Sequence, residues 1–282
     1  MLIAGCGYVG TALGLELLAA GDHVWGLRRT PSHLPAGFGA IAADLSAAGT
    51  LEGLPRGIEY IVYCASADDS SDAAYVRAYV TGLERLLGAL DRSSVRRVFF
   101  TSSTSVYAQA DGQWVDESSE TAPTYFSGVR LLQAEAALRT SGLPSTALRC
   151  SGIYGPGRTR LIDSVRQGTA RSSERFTNRI HRDDVAGAIA HLLRSEQAPE
   201  LLLLNDDAPA PERDVLAFLA ERLGVPAPPQ APASTPAAAR GSSKRCRNAL
   251  LRATGYELRY PSYREGYAAM LPPPTRPNSG PE

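Results

Sequence analysis

The glycine-rich segment G-C-G-Y-V-G, from Gly5 to Gly10, constrains the fold of this chain more than any other feature. It follows a short apolar run, Met1 to Ala4, and precedes a segment in which leucines recur at helical spacing until Gly21. A second apolar segment, His23 to Leu27, comes next. Strand, glycine turn, helix and strand in this order predict the first βαβ unit of a parallel sheet.

Apolar segments and helical patterns alternate along the rest of the first half of the chain. Strands are predicted at Ala40 to Ala42, Ile58 to Cys64, Arg97 to Phe100 and Ser145 to Arg149, and helices at Ala73 to Leu90 and Phe126 to Arg139. One more strand, Leu201 to Asn205, and one more helix, Arg213 to Leu223, follow later. This alternation predicts an α/β fold with a doubly wound parallel (Rossmann) sheet, which binds its ligand at the carboxyl ends of the strands.

The length of the chain, 282 residues, allows one large α/β domain and a smaller one. We predict a Rossmann domain over residues 1–150, to which residues 178–200 return. Residues 151–177 and 201–271 are predicted to form a smaller, discontinuous C-terminal lobe for the substrate. The Pro- and Ala-rich stretch 226–239 is predicted to be an irregular surface connection, and the Pro-rich tail, 272–282, to be disordered.

The formal net charge of the chain is zero, because it contains 29 Lys and Arg residues and 29 Asp and Glu residues. A protein that binds nucleic acid or a membrane through basic residues would need a surplus of cations. Neither nucleic acid nor a membrane is therefore expected as a partner. The four cysteines lie far apart without a C-x-x-C pair, which predicts neither a disulfide framework nor a zinc site. No long apolar span and no signal-like start are present, so the expected location is the cytoplasm.

The glycine turn has the spacing G-x-G-x-x-G, with Gly5, Gly7 and Gly10 placed between a strand and a helix. This arrangement lets the backbone approach a pyrophosphate at a helix N-terminus, where free N–H groups point outward. An NAD-specific site has an acidic residue at the end of the second strand, where this chain has Arg28 and Arg29. Two guanidinium groups favour the 2′-phosphate of NADP over NAD, the alternative being that both arginines are solvated.

Several motifs in sequence order resemble the extended short-chain dehydrogenase/reductase superfamily, and within it the atypical NAD-dependent epimerase/dehydratase subgroup. They are T-S-S-T-S-V-Y from Thr101 to Tyr107, L-R-C-S-G-I-Y-G-P-G-R from Leu148 to Arg158, and N-R-I-H-R-D-D-V-A from Asn178 to Ala186. The resemblance implies that Asp44-Leu45 lies near the adenine and that Ala65-Ser66 passes the cofactor. The predicted cofactor-binding residues are therefore Gly5, Gly7, Tyr8, Val9, Gly10, Arg28, Arg29, Asp44, Leu45, Ala65 and Ser66.

The active site that the resemblance implies is incomplete. The family uses a Ser or Thr, a Tyr, and a Lys four residues after the Tyr. Ser103 matches the serine, and Tyr125 is the nearest phenol to the tyrosine position, but Val129 stands four residues later. An alignment through Glu135 instead puts Ser127 and Leu131 at the tyrosine and lysine positions. The lysine is absent on either alignment.

We therefore predict Ser103 and Tyr125 as the catalytic residues of an altered site. The family also often has an asparagine where this chain has Tyr79, and Arg130, five residues after Tyr125, lies off the helical face that a lysine would share. His181 is expected to be structural rather than a metal ligand.

The resemblance implies an NADP(H)-dependent oxidoreductase, epimerase or dehydratase that acts on a carbonyl or hydroxyl of a sugar-like or nucleotide-sugar small molecule. The alternative left open by the missing lysine is a catalytically inactive NADP(H)-binding sensor or interaction protein. In the resembling enzymes the helices equivalent to Ala73–Leu90 and Phe126–Arg139 form a four-helix interface, so we predict a homodimer through these helices.

Overall fold

A seven-stranded parallel sheet forms the centre of the computed structural model, which describes residues 1–231 and 243–271. The first half contains, in chain order, β1 Leu2–Ala4, α1 Tyr8–Ala19, β2 Trp25–Arg28, β3 Gly39–Ala42, β4 Tyr60–Tyr63, α2 Asp72–Tyr75, a π-helical segment Val76–Thr81, α3 Gly82–Ala89, β5 Arg97–Ser103, β6 Gln113–Val115, α4 Phe126–Thr140 and β7 Ser145–Cys150. The second half contains β8 Gly152–Tyr154, α5 Arg160–Arg166, β9 Phe176–Thr177, β10 Arg179–His181, α6 Arg182–Leu193, β11 Leu201–Leu204, β12 Ala210–Pro211, α7 Glu212–Leu223, β13 Lys244–Cys246, α8 Ala249–Ala253 and α9 Tyr263–Met270.

The strand order of the main sheet is β11-β7-β5-β4-β1-β2-β3, and neighbouring strands are parallel. Ile3 in β1 lies opposite Gly26 on one side and Val62 on the other. The chain therefore winds outward in both directions from β1 and β4, as the alternating pattern predicted. A sheet of this kind has its ligand crevice at the carboxyl ends of the strands, where the strand order reverses.

Both faces of the sheet are buried under helices. Adjacent residues Phe99 and Phe100 are each 0% exposed, yet Phe99 joins the apolar core beneath α1 and α6, while Phe100 joins the core beneath α3 and α4. Successive side chains of a strand point to opposite faces, so a strand covered on both sides needs a continuous apolar run. This explains why the strands of this chain lack an alternating pattern.

A smaller lobe has its own apolar core, built from Tyr154, α5, α7 and α9. The predicted lobe boundary was wrong at Leu201–Leu204, which form the outer strand β11 of the main sheet, hydrogen-bonded to β7. The four consecutive leucines have the composition of a strand that is covered on both faces. Helix α8 also packs on β11, so the 201–271 segment is divided between the main sheet and the lobe. Within 178–200, α6 packs against α1.

The helix predicted over Ala73 to Leu90 is interrupted by the π-helical segment Val76–Thr81. The Tyr63 hydroxyl donates a hydrogen bond to the backbone carbonyl of Ala78 inside this segment. A π-helical turn lets backbone groups leave the regular ladder, and such turns are frequent at functional sites. Helix propensity and hydrophobic periodicity in the sequence do not reveal this π-helical segment.

Parts of two predictions lie outside the described residues: the Pro- and Ala-rich connection 226–239 is described only to residue 231, and the tail 272–282 is not described. Across residues 1–231 and 243–271, no helix has both the length and the apolar character needed to cross a bilayer.

Candidate cofactor and active site

A cleft of about 540 Å³ lies at the carboxyl ends of β1, β2, β4, β5 and β7. Most residues that the sequence assigned to the site line this cleft, namely Gly5, Gly7, Tyr8, Val9, Arg28, Arg29, Asp44, Leu45, Ala65, Ser66 and Ser103. A larger cavity of about 920 Å³ lies beside Ile58 and Ser94, at the amino ends of β4 and β5. In open α/β sheets the carboxyl edge is the ligand edge, so the smaller cleft is the candidate site.

The glycine turn has the geometry that a dinucleotide requires. Gly5 has φ +78°, and a Cβ there would lie 2.3 Å from the Cα of Ala65. Gly10 does not line the cleft but lies behind the turn. A Cβ on Gly10 would come within 2.7 Å of the Ile3 side chain. A Cβ on Gly7 would approach only the Gly5 carbonyl, at 3.7 Å. Gly5 and Gly10 thus permit close packing, and Gly7 leaves the start of α1 open to a ligand.

The two arginines after β2 have different surroundings. Arg28 donates a hydrogen bond to the Cys6 carbonyl at 3.3 Å and lines the cleft. Arg29 forms a bidentate ion pair with Asp68, with N–O distances of 2.9 and 2.6 Å. Asp44 accepts hydrogen bonds from the Ser46 hydroxyl and backbone N–H, which lower the pKa of its carboxyl. Asp68 was not singled out by any motif.

Ser103 lies where the sequence predicted, at the end of β5 in the cleft. Its Oγ accepts a hydrogen bond from the Ser105 backbone N–H at 3.1 Å, so its own hydrogen can point to a substrate oxygen. Tyr79, from the π-helical segment, also lines the cleft. In the sequence, Tyr79 is notable only because the family often has an asparagine at this position.

Tyr125 does not line the cleft. It precedes α4, is 41% exposed, and packs its ring on Phe126 at 4.4 Å between centroids. Phe126 contacts Tyr75, and Tyr75 contacts Tyr79, so a series of aromatic rings connects Tyr125 to the cleft. The structure therefore brings Ser103 into the cleft but leaves Tyr125 outside the cleft lining.

The positions aligned with the family tyrosine and lysine carry no cation. Leu131 is 3% exposed and packs in the core beneath α4, while Ser127 is half-buried. Arg130 is held by Asp72, with N–O distances of 2.7 and 2.8 Å, so it does not replace the lysine. Lys244, the single lysine of the sequence, is buried in β13 and donates to the Tyr107 carbonyl at 3.3 Å.

A buried polar network supports the floor of the cleft, and sequence motifs did not indicate it. The Glu135 carboxylate accepts two hydrogen bonds from Arg149, at 3.1 and 2.7 Å, and one from the Ser102 hydroxyl at 2.5 Å. Arg149 also donates to the Tyr107 hydroxyl at 2.8 Å. That hydroxyl in turn donates to the Asp116 carbonyl at 2.8 Å. The side chains of Glu135 and Arg149 are 8% and 7% exposed, so the network fixes β5, α4 and β7 relative to one another.

Arg158, which follows β8, also lines the cleft. Its guanidinium lies 4.1 Å from the centre of the Tyr8 ring and donates to the Ile153 carbonyl at 3.0 Å. Stacking and a backbone hydrogen bond therefore hold Arg158 in the cleft lining. This placement favours contact with an anionic group of a ligand.

His181 and Asp184 have structural roles. His181 is 1% exposed and caps α6, because its Nδ1 accepts a hydrogen bond from the Asp183 N–H at 3.2 Å. Burial lowers the pKa of His181. Asp184, 0% exposed, accepts hydrogen bonds from the Tyr256 hydroxyl and the Arg259 N–H, which tie the C-terminal segment to α6. This agrees with the structural interpretation of His181.

Comparison with known proteins places these features in one family. The NAD(P)H-binding family matches residues 5–196 of this chain. A solved structure of a putative NAD-dependent epimerase/dehydratase from Methylobacillus flagellatus is similar, with a TM-score of 0.78 and 40% identity over 95% of this chain and 96% of that one. Protein YeeZ of Escherichia coli K12 is 31% identical over 81% of this chain and 85% of its own length.

A third similar protein is MoeE5, whose structure was solved with UDP-glucuronic acid and NAD. Its TM-score is 0.80 at 25% identity, covering 95% of this chain and 96% of that one. Other relatives are named as a steroid dehydrogenase and as reductases. The glycine turn, the doubly wound sheet and these relatives together show that the chain belongs to the NAD(P)H-binding family and is an oxidoreductase-type enzyme of the extended, atypical short-chain dehydrogenase/reductase superfamily.

Proposed function

We propose that the protein is an NADP(H)-dependent oxidoreductase that acts on a carbonyl or hydroxyl group of a sugar-like or nucleotide-sugar small molecule. The observation that carries this proposal is the presence of Arg28, Arg29 and Ser103 in one cleft. Guanidinium groups at the end of β2 suit a 2′-phosphate, and Ser103 suits a reacting oxygen. The UDP-glucuronic acid bound by MoeE5 supports the substrate class.

The cleft residues fit a dinucleotide. A pyrophosphate can approach the N-terminus of α1 because Gly7 has no side chain, and the helix start has no side-chain cap that would compete for its N–H groups. Ala65 and Ser66, whose side chains are small, line the cleft beside the turn. The absence of a side chain on Gly5 lets the turn pack directly against Ala65. When it is bound, the cofactor supplies or accepts a hydride.

The chain itself would orient the substrate and move the proton. In this proposal the Ser103 hydroxyl donates a hydrogen bond to the substrate oxygen. Tyr79 gives a proton to that oxygen during reduction, or accepts it during oxidation, and then exchanges it with solvent. Tyr79 is assigned this role instead of Tyr125 because Tyr79 lines the cleft together with Ser103, and a proton donor must lie within hydrogen-bond reach.

The surroundings of Tyr79 favour the protonated phenol. Burial, and next the neighbouring Tyr75, raise the pKa of Tyr79 to about 12, whereas a hydrogen bond with the Ala67 backbone and the charge of Arg158 act in the opposite direction. Arg158 is the cation that acts on this phenol where the family lysine is missing. Tyr79 therefore suits an acid that protonates a developing alkoxide.

The cofactor preference provides the first test. We expect the protein to bind NADPH several-fold more tightly than NADH, and Arg28→Asp with Arg29→Ala to remove the preference. Losing one well-formed charged contact costs roughly 1.5–3 kcal/mol, about tenfold or more in affinity. Fluorescence titration with both cofactors measures it. Equal affinities in the unmodified protein would contradict the NADP(H) preference.

Turnover separates the enzyme from the alternative function. Oxidation of NADPH should be followed with a panel of carbonyl compounds that includes keto derivatives of nucleotide sugars. Mass spectrometry of small molecules that co-purify with the protein would guide the panel. Tight NADPH binding without turnover of any of these compounds would favour the sensor or interaction protein.

The homodimer also remains a prediction. Helices α3 and α4 lie side by side on one face of the sheet, which allows two copies to pair through a four-helix interface. Light scattering at micromolar concentration should give twice the chain mass of 30.0 kDa. A mass of one chain across that range would contradict the dimer.

A further inference from the structure

Arg29 and Asp68 form an ion pair at the mouth of the cofactor cleft. Two hydrogen bonds, at 2.9 and 2.6 Å, join the guanidinium to both carboxylate oxygens. The two side chains are 62% and 59% exposed, and both residues line the cleft. The pair therefore belongs to the wall of the site and not to the core.

The position of this pair follows from the strand order. Arg29 follows β2 and Asp68 lies in the loop after β4, and these two strands flank β1 on either side. The glycine turn follows β1. The ion pair thus reaches across the carboxyl end of β1, from one lip of the adenosine end of the cleft to the other.

We propose that Asp68 is a specificity-determining residue, which limits the preference for NADP(H) over NAD(H) by holding Arg29. The inference rests on the proposed function, because it assumes that the arginines after β2 meet the 2′-phosphate. A bidentate carboxylate occupies the donors of Arg29 that would otherwise bind a phosphate. In this arrangement Arg28 is the phosphate ligand available at once, and Arg29 becomes one only when its pair with Asp68 opens.

Opening the pair is not costly. Ion pairs between exposed side chains contribute little to stability, because water and salt screen them. A bound 2′-phosphate can therefore compete with Asp68 for Arg29, but it loses part of the binding free energy in doing so. Removing the Asp68 carboxylate should recover that part of the binding free energy of the 2′-phosphate.

The test compares five proteins: the unmodified chain, the single variants Asp68→Asn, Asp69→Asn and Arg29→Ala, and the double variant Arg29→Ala with Asp68→Asn. Dissociation constants for NADPH and NADH are measured by titration at low salt. Asp69→Asn is the matched control, because Asp69 is an adjacent acid of the same loop that does not line the cleft. Melting temperatures verify that the variants fold, which is expected for exposed positions.

We expect Asp68→Asn to increase the ratio of NADPH to NADH affinity by about two- to fivefold, the scale of one exposed ion pair. Asp69→Asn should leave the ratio nearly unchanged, and Asp68→Asn should have little effect once Arg29 is alanine. An unchanged or smaller ratio in Asp68→Asn would overturn the inference while leaving the proposed function intact. An increase that persists without Arg29 would also overturn it, since the effect would then be simple charge repulsion. Failure of the unmodified protein to bind either cofactor would remove the proposed function, and the inference with it.

Discussion

Replacing Arg149 with methionine is expected to lower the free energy of unfolding by about 3–5 kcal/mol, the usual loss when one partner of a buried ion pair is removed. Glu135 would stay buried without its cation, since the two side chains are only 8% and 7% exposed. The Tyr107 hydroxyl would lose the guanidinium that donates to it. Urea unfolding followed by circular dichroism measures the change.

The surface pair of Arg130 and Asp72 provides the control. It has the same bidentate geometry, but its side chains are 27% and 46% exposed. Arg130→Met should therefore cost only about 0–1 kcal/mol. Replacing Glu135 with leucine together with Arg149→Met should recover part of the loss, because no charge then stays buried. A loss below about 1 kcal/mol for Arg149→Met alone would contradict the prediction.

Replacing Tyr79 with phenylalanine is expected to slow the chemical step by roughly 10²–10⁴, the scale of a general acid–base group, with little change in NADPH affinity. Tyr125→Phe is the matched control, since it removes the same hydroxyl from a ring outside the cleft lining. Single-turnover kinetics with the identified substrate separate the chemical step from binding. The opposite result, a slow Tyr125→Phe variant and a Tyr79→Phe variant of normal rate, would assign the proton transfer to Tyr125 instead of Tyr79.

The pH profile tests the same assignment from another side. With the pKa of Tyr79 raised to about 12 by burial, the phenol is protonated through the neutral range. Alcohol oxidation needs the phenolate, so its rate should increase by about tenfold per pH unit between roughly pH 7 and 10. Carbonyl reduction needs the protonated form and should not gain from higher pH through this group. A plateau of the oxidation rate near pH 7 would show that another base is used.

The fold and the cofactor cleft could be predicted from local sequence. The turn from Gly5 to Gly10, between an apolar strand and a helix, specifies its backbone through residues that are neighbours in the chain. The position of Arg28 and Arg29 after β2, and of Ser103 at the end of β5, follows from the same local order. Parallel strands bring their carboxyl ends to one edge, which is why separate motifs met in one cleft.

Only the tertiary structure showed which side chains from distant segments meet. Asp68 faces Arg29 across the end of β1, and Glu135 binds Arg149. Tyr79 reaches the cleft from a π-helical segment that Tyr63 helps to shape. Contacts of this kind depend on how helices and loops pack against the sheet, so chain spacing could not indicate them. The prediction that Tyr125 lies in the cleft was wrong for the same reason. Its position along the chain is close to that of the family tyrosine, but packing on Phe126 decides the direction of its ring.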